Sequence, residues 1–97
     1  MQKNCYDLAK SKITAYAADY LDYQKKEDIT EMRKAFDKEK SVLKGRAAIF
    51  WSLVKQAHDD CNTDQRHLVR AEIVRVLNRL EALCKDTDIA QEQGGQP

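Results

Sequence analysis

The chain has 97 residues, a net charge of +1, 42% hydrophobic residues, three Gly and one Pro. That length allows one domain, with little surplus core to hold it together. The near-neutral balance makes no bulk electrostatic case for nucleic acid or an anionic membrane surface, and no apolar run approaches the ~20 residues of a membrane span.

Ala, Leu, Lys, Glu, Gln and Arg dominate, all good helix formers, and no segment alternates with β-branched enrichment. An all-α protein is expected. Met1 to Lys10 lacks the apolar core of a signal peptide. The three cysteines, Cys5, Cys61 and Cys84, are odd in number and unpatterned in spacing. That argues against a disulfide framework and for a reducing, cytoplasmic setting.

The first helix is predicted from about Asn4 to Lys25. Asn4 is its cap, and Asp7 suits the positive end of the helix dipole. Tyr6, Ala9, Ile13, Tyr16, Tyr20 and Tyr23 recur at 3, 4, 3, 4 and 3, so all four tyrosines line one face. Such a face is either a core edge with its hydroxyls in water or a recognition surface, since Tyr is enriched in interface cores.

A turn follows at Lys26 to Asp28. Asp28 and Glu31 then form a capping-box pattern. The apolar positions Ile29, Met32, Phe36 and Leu43 make a thin stripe interrupted by Glu39. Projected forward at about 100° per residue, this stripe runs in phase into Ala47, Phe50, Val54, Ala57 and Cys61. Ile49 and Leu53 widen that face on one side, Trp51 and His58 on the other. Because phase is kept across Gly45, one long helix from about Ile29 to Cys61 is expected, spanning ~50 Å. The alternative is a four-helix up-down bundle broken at Gly45. With the long helix, Cys5 and Cys84 should lie toward different ends; with helices running up and down, they should share one.

Asn62, Thr63 and Asp64 mark a break, with Thr63 or Asp64 as the next cap. The last helix is predicted to about Lys85. Val69, Ile73, Val76, Leu80 and Leu83 form its apolar face, which Leu77 and Cys84 widen. The polar remainder, 86–97, reads as a disordered tail after a single helical domain at 1–85. The expected architecture is an elongated three-helix bundle with a long central helix. The first and last helices, at ~33 Å each, would leave the Met32/Phe36 region and the tyrosine face incompletely covered.

Signals for chemistry are sparse. His58 and Cys61 share a helix face with His67 just beyond, but no second ligand pair follows, so a zinc site is not expected. There is no glycine-rich phosphate loop, no nucleophile elbow and no His-Glu-x-x-His. Asp59 and Asp60 are adjacent on a helix and point about 100° apart. No enzyme, no cofactor and no metal are expected.

The leading expectation is a protein that binds another protein or larger complex as an adaptor or inhibitor, through Tyr16, Tyr20, Tyr23, Met32, Phe36, Arg75 and Arg79. Phages and mobile elements often use small helical proteins in this way, which is a base rate and not a derivation. The alternative is nucleic-acid binding. There Arg33, Lys40 and Lys44 would form a stripe leading to Trp51 and Lys55, with Arg66 and Arg70 on the last helix. Interleaved acids, among them Glu31, Asp37, Glu39, Glu72 and Glu81, weigh against it. A homodimer closing over the thin stripe is the third reading.

Overall fold

The computed structural model describes residues 4–94, and side chains for residues 4–84. The protein is an all-α helical bundle of four helices: α1 (Cys5–Tyr20), α2 (Lys26–Phe36), α3 (Gly45–Asp59) and α4 (Arg66–Gly94). Short 3-10 turns at Leu21–Tyr23 and Thr63–Gln65 follow α1 and precede α4. The tail expected at 86–97 falls on residues whose side chains lie outside those described, and 95–97 are outside altogether. No helix among the described residues is long and apolar enough to cross a membrane.

Asn4 caps α1 as its side chain suggests, Oδ1 accepting the Asp7 N–H at 2.8 Å. The Asp28/Glu31 capping box does not form. α2 starts earlier, at Lys26, with Lys25 as an N-cap that makes no side-chain bond. Asp28 is thereby placed inside the first turn and accepts the Tyr20 hydroxyl at 3.3 Å. Glu31 turns outward to Lys34 (2.8 Å) and to the Val42 N–H (2.9 Å). At the other break, Asn62 takes the cap position before the 3-10 turn, in place of Thr63 or Asp64.

The long central helix is not formed: residues 37–44 separate α2 from α3. The break is made at Lys38, in the left-handed region at φ 63°. The Lys38 N–H reaches back to the Ala35 carbonyl (3.1 Å) and the Glu39 N–H to the Lys34 carbonyl (2.8 Å). Those two bonds, five-to-two and six-to-one, define a Schellman C-cap. Gly45 is also left-handed, at φ 59°, but it opens α3 and does not close α2. The shared phase of the two stripes is therefore no sign of continuity. Both helices face one core, and between Phe36 and Ala47 only Leu43 carried the pattern.

Breaking there lets α2 fold back along α4. Arg33 Nη2 donates to Asn78 Oδ1 (2.8 Å) and Glu81 Oε2 (2.6 Å), while Phe36 lies under the Arg70 guanidinium. These contacts make α2 antiparallel to α4. The thin stripe thus meets the last helix, not the first alone, and Met32 is fully buried, at 0% exposure. α3 runs antiparallel to α1, with Arg46 at Tyr23, Phe50 at Tyr20 and Cys61 at Cys5. α1 and α4 run parallel: the Tyr6 N–H donates to Gln65 Oε1, and Thr14 to Leu21 line a hollow with Arg75 to Leu83. So Cys5 and Cys84 lie toward different ends without a long helix, because α2 and α3 run the same way.

The core joins Ala9, Ile13 and Tyr20 of α1 to Ile29 and Met32 of α2. Ala47, Phe50, Val54 and Ala57 of α3 and Val69, Ile73, Val76, Leu77, Leu80 and Cys84 of α4 extend it. The expected apolar faces of the last two helices are these. Cys61 belongs to the core as half of a disulfide with Cys5, their Cα atoms 5.3 Å apart; Cys84 is a buried thiol outside that disulfide. The wide spacing that argued against a disulfide reflects two helix ends meeting from opposite parts of the chain. The pairing also removes the cysteine-based support for a reducing compartment.

Candidate functional site

Two parts of the surface gather chemistry. The first is the face shared by α1 and α3, where the tyrosine row meets the central apolar segment. The row is not uniform. Tyr20 is core, 3% exposed, stacked on Phe50 with ring centroids 4.7 Å apart. Burial, reinforced by the Asp28 carboxylate, pushes its hydroxyl pKa up from the ordinary tyrosine value. Tyr16 is half-buried at the rim. Tyr23 is 47% exposed and carries the Arg46 guanidinium 4.5 Å above its ring.

Beside them Ile49 stands 57% exposed. Tyr16, Asp19, Tyr23, Arg46, Ile49 and Leu53 surround a shallow hollow of about 140 Å³, floored by Tyr20 and Phe50. Of the expected contact residues, then, Tyr16 and Tyr23 come together on the surface while Tyr20 and Met32 belong to the core. Phe36 lies on another face. Arg75 and Arg79 border the separate α1/α4 hollow. Arg75 is engaged, donating from Nε to Glu72 at 2.9 Å and again from Nη2. Glu72 is only 4% exposed and needs that partner, because a buried carboxylate without one is costly.

Ile49 and Arg46 were missed as surface residues. Ile49 read as a flank of the core arc, and only the closeness of α1 to α3 decides that the flank stays open.

The second part lies where α2 ends. Phe36 and Trp51 meet edge to face, ring centroids 6.5 Å apart, and the Arg70 guanidinium lies 4.5 Å from the Phe36 centroid. A cavity of about 540 Å³ opens beside them, lined also by Lys38, Lys55 and His58. His58 bonds through Nδ1 to Asp59 Oδ1 at 2.9 Å, and its Nε2 is buried with no hydrogen-bond partner.

The basic stripe expected for nucleic acid is divided by these contacts. Arg33 bridges to α4. Arg66 covers the end of α3, donating to the carbonyls of Cys61 and Asp59 at 3.0 Å each. Arg70 and Trp51 border the cavity, whereas Lys40 and Lys44 stand exposed on the 37–44 segment. Among the described residues, no cluster of three or more His, Cys, Asp or Glu side chains is placed to hold a metal. Compared with known protein families, curated proteins and solved structures, the chain finds no significant match.

Proposed function

We propose that the protein works by binding another protein, as an adaptor or inhibitor, through the α1/α3 face and without catalysis of its own. The observation that carries this reading is the exposed group of Tyr23, Arg46 and Ile49 around a hollow. Tyr and Arg are the side chains that dominate interface energetics, and here they flank an aliphatic anchor. Tyr23 and Arg46 already hold each other in place, so less side-chain freedom is lost on docking. A partner that fits would present an apolar side chain to the hollow and a carboxylate to Arg46.

The test is a pull-down by the tagged full chain, with and without nuclease, repeated with Ile49→Asp and with Val74→Asp on the exposed side of α4. Circular dichroism would first establish that both variants keep their helices. A stoichiometric, nuclease-resistant partner lost with Ile49→Asp and kept with Val74→Asp is the expected result. Equal capture by both variants rejects this face. Enrichment that disappears with nuclease moves the assignment to nucleic acid and to the exposed Lys40 and Lys44.

A further inference from the structure

The cavity beside α2 has a composition that the protein-docking reading does not use. Two of its walls are aromatic, Phe36 and Trp51, set edge to face so that a third ring can pack against both. Its charged lining is mostly cationic, three cations to one carboxylate. Lys38, Lys55 and Arg70 contribute cations from the 37–44 segment, α3 and α4 in turn. The carboxylate there, Asp59, is already bonded to His58.

Among the described residues, no carboxylate pairs with Lys38, Lys55 or Arg70. The Arg70 guanidinium lies over the Phe36 ring, 4.5 Å from its centroid, which anchors it at the cavity wall, where its donors can meet a planar anion. The volume, about 540 Å³, lies within the range of small-molecule sites.

We propose that this cavity binds a small organic acid with a flat aromatic body, its ring against Trp51 and Phe36 and its anionic group facing Arg70, Lys55 and Lys38. The site is separate from the α1/α3 face, so either assignment can fail without the other.

Trp51 is the only tryptophan in the chain and lies in the cavity wall, which gives the test its own reporter. The probes are anilinonaphthalene sulfonate, an aromatic acid, and N-phenylnaphthylamine, the same ring system without the sulfonate. The full chain is titrated with each while energy transfer from Trp51 to the dye is followed. The sulfonate is expected to saturate a single site, with transfer, and to bind more tightly than the neutral dye.

Arg70→Gln combined with Lys55→Gln should weaken sulfonate binding by about tenfold or more and leave the neutral dye unchanged. Lys10→Gln combined with Lys26→Gln removes the same net charge from elsewhere on the surface and should change neither. Equal affinity for both dyes, or equal loss in the two double variants, overturns the assignment of an acid. Saturable binding without transfer from Trp51 overturns the placement. Helix content and melting temperature, measured for each variant, keep loss of binding distinct from loss of fold.

Discussion

At the junction between α3 and α4 the chain is held from several directions. Cys61 is bonded to Cys5 at the start of α1. Arg66 donates to the Asp59 carbonyl at the end of α3 and to the Cys61 carbonyl just past it, and Gln65 accepts the Tyr6 N–H at 2.9 Å, covering one of the donors α1 leaves open. The junction between α2 and α3 is built with much less. Lys38 and Gly45 both take left-handed backbone, α3 has no side-chain cap, and the Glu31 bond to the Val42 N–H ties the segment to α2. One junction uses its polar groups on itself. The other leaves three cations and two aromatic rings around a cavity. The cavity includes Asp59 and Arg70, so the open, chemically available surface stands directly beside the firmly tied junction.

The strongest way to break that contrast is to cut the disulfide. Residues 5 and 61 are separated by 56 positions, and closing so long a loop in the unfolded chain is worth about 4 kcal/mol. Reduction, or Cys61→Ser, should lower stability by about that amount, read from guanidinium denaturation with and without reductant. The folded junction should survive: a reduced Cys5 thiol has Gln65 Oε1 at 3.2 Å and Asn62 Oδ1 at 3.3 Å as acceptors. Helix content before the transition should then be unchanged. An identical denaturation midpoint in both conditions would remove the disulfide from this account of the tight junction.

The tyrosines offer the next largest effect. Tyr20→Ala deletes a buried, stacked ring and should cost about 3–5 kcal/mol by analogy with aromatic core truncations. Tyr23→Ala should stay within about 1 kcal/mol, since the residue is 47% exposed and its ring lies under the exposed Arg46 guanidinium. The hydroxyl of Tyr20 adds a pH signature. Its pKa is raised in the folded protein, so folding favours the protonated form. The resulting stability is fully present below the unfolded tyrosine pKa of about 10 and declines as pH rises above it. Tyr20→Phe should remove that alkaline slope, measured as the change in denaturation midpoint from neutral pH into the alkaline range. An unchanged slope would show that the phenol does not cause it.

These two residues also show what periodicity can and cannot reveal. Spacing placed Tyr20 and Tyr23 on one face, and they are on one face. Whether a ring is covered depends on where the neighbouring helix begins, and that is a tertiary fact. The apolar stripes of α3 and α4 were legible because each needs only its own 3.6-residue repeat. The break after Phe36 was not, because it rests on a lysine in a conformation for which Lys carries no sequence signal. Met32 was misplaced for the same reason: without that break α2 cannot return along α4 to bury it. The cavity follows from the break as well, so its residues appeared in the sequence only as parts of other patterns, Phe36 among apolar positions and Trp51, Lys55 and Arg70 among basic ones.

The smallest effects sharpen the loose junction most. An added Cβ at Gly45 would meet nothing within 4 Å, so Gly45→Ala tests backbone conformation alone. At φ 59° it should cost about 1–2 kcal/mol. Lys38 sits at φ 63° with the side chain that Gly45 lacks, and Lys38→Gly relieves a similar cost. The greater freedom of glycine in the unfolded chain offsets part of that relief, leaving a net gain of about 0.5–1 kcal/mol in thermal or chemical denaturation. The same substitution takes one cation from the cavity, so it should stabilise the fold and weaken the sulfonate dye together. That pairing is the pattern of a residue kept for binding at the expense of stability. Should Lys38→Gly stabilise the protein while dye affinity stays unchanged, the lysine would be a backbone irregularity with no part in the cavity's chemistry, and the charge of the site would rest on Lys55 and Arg70.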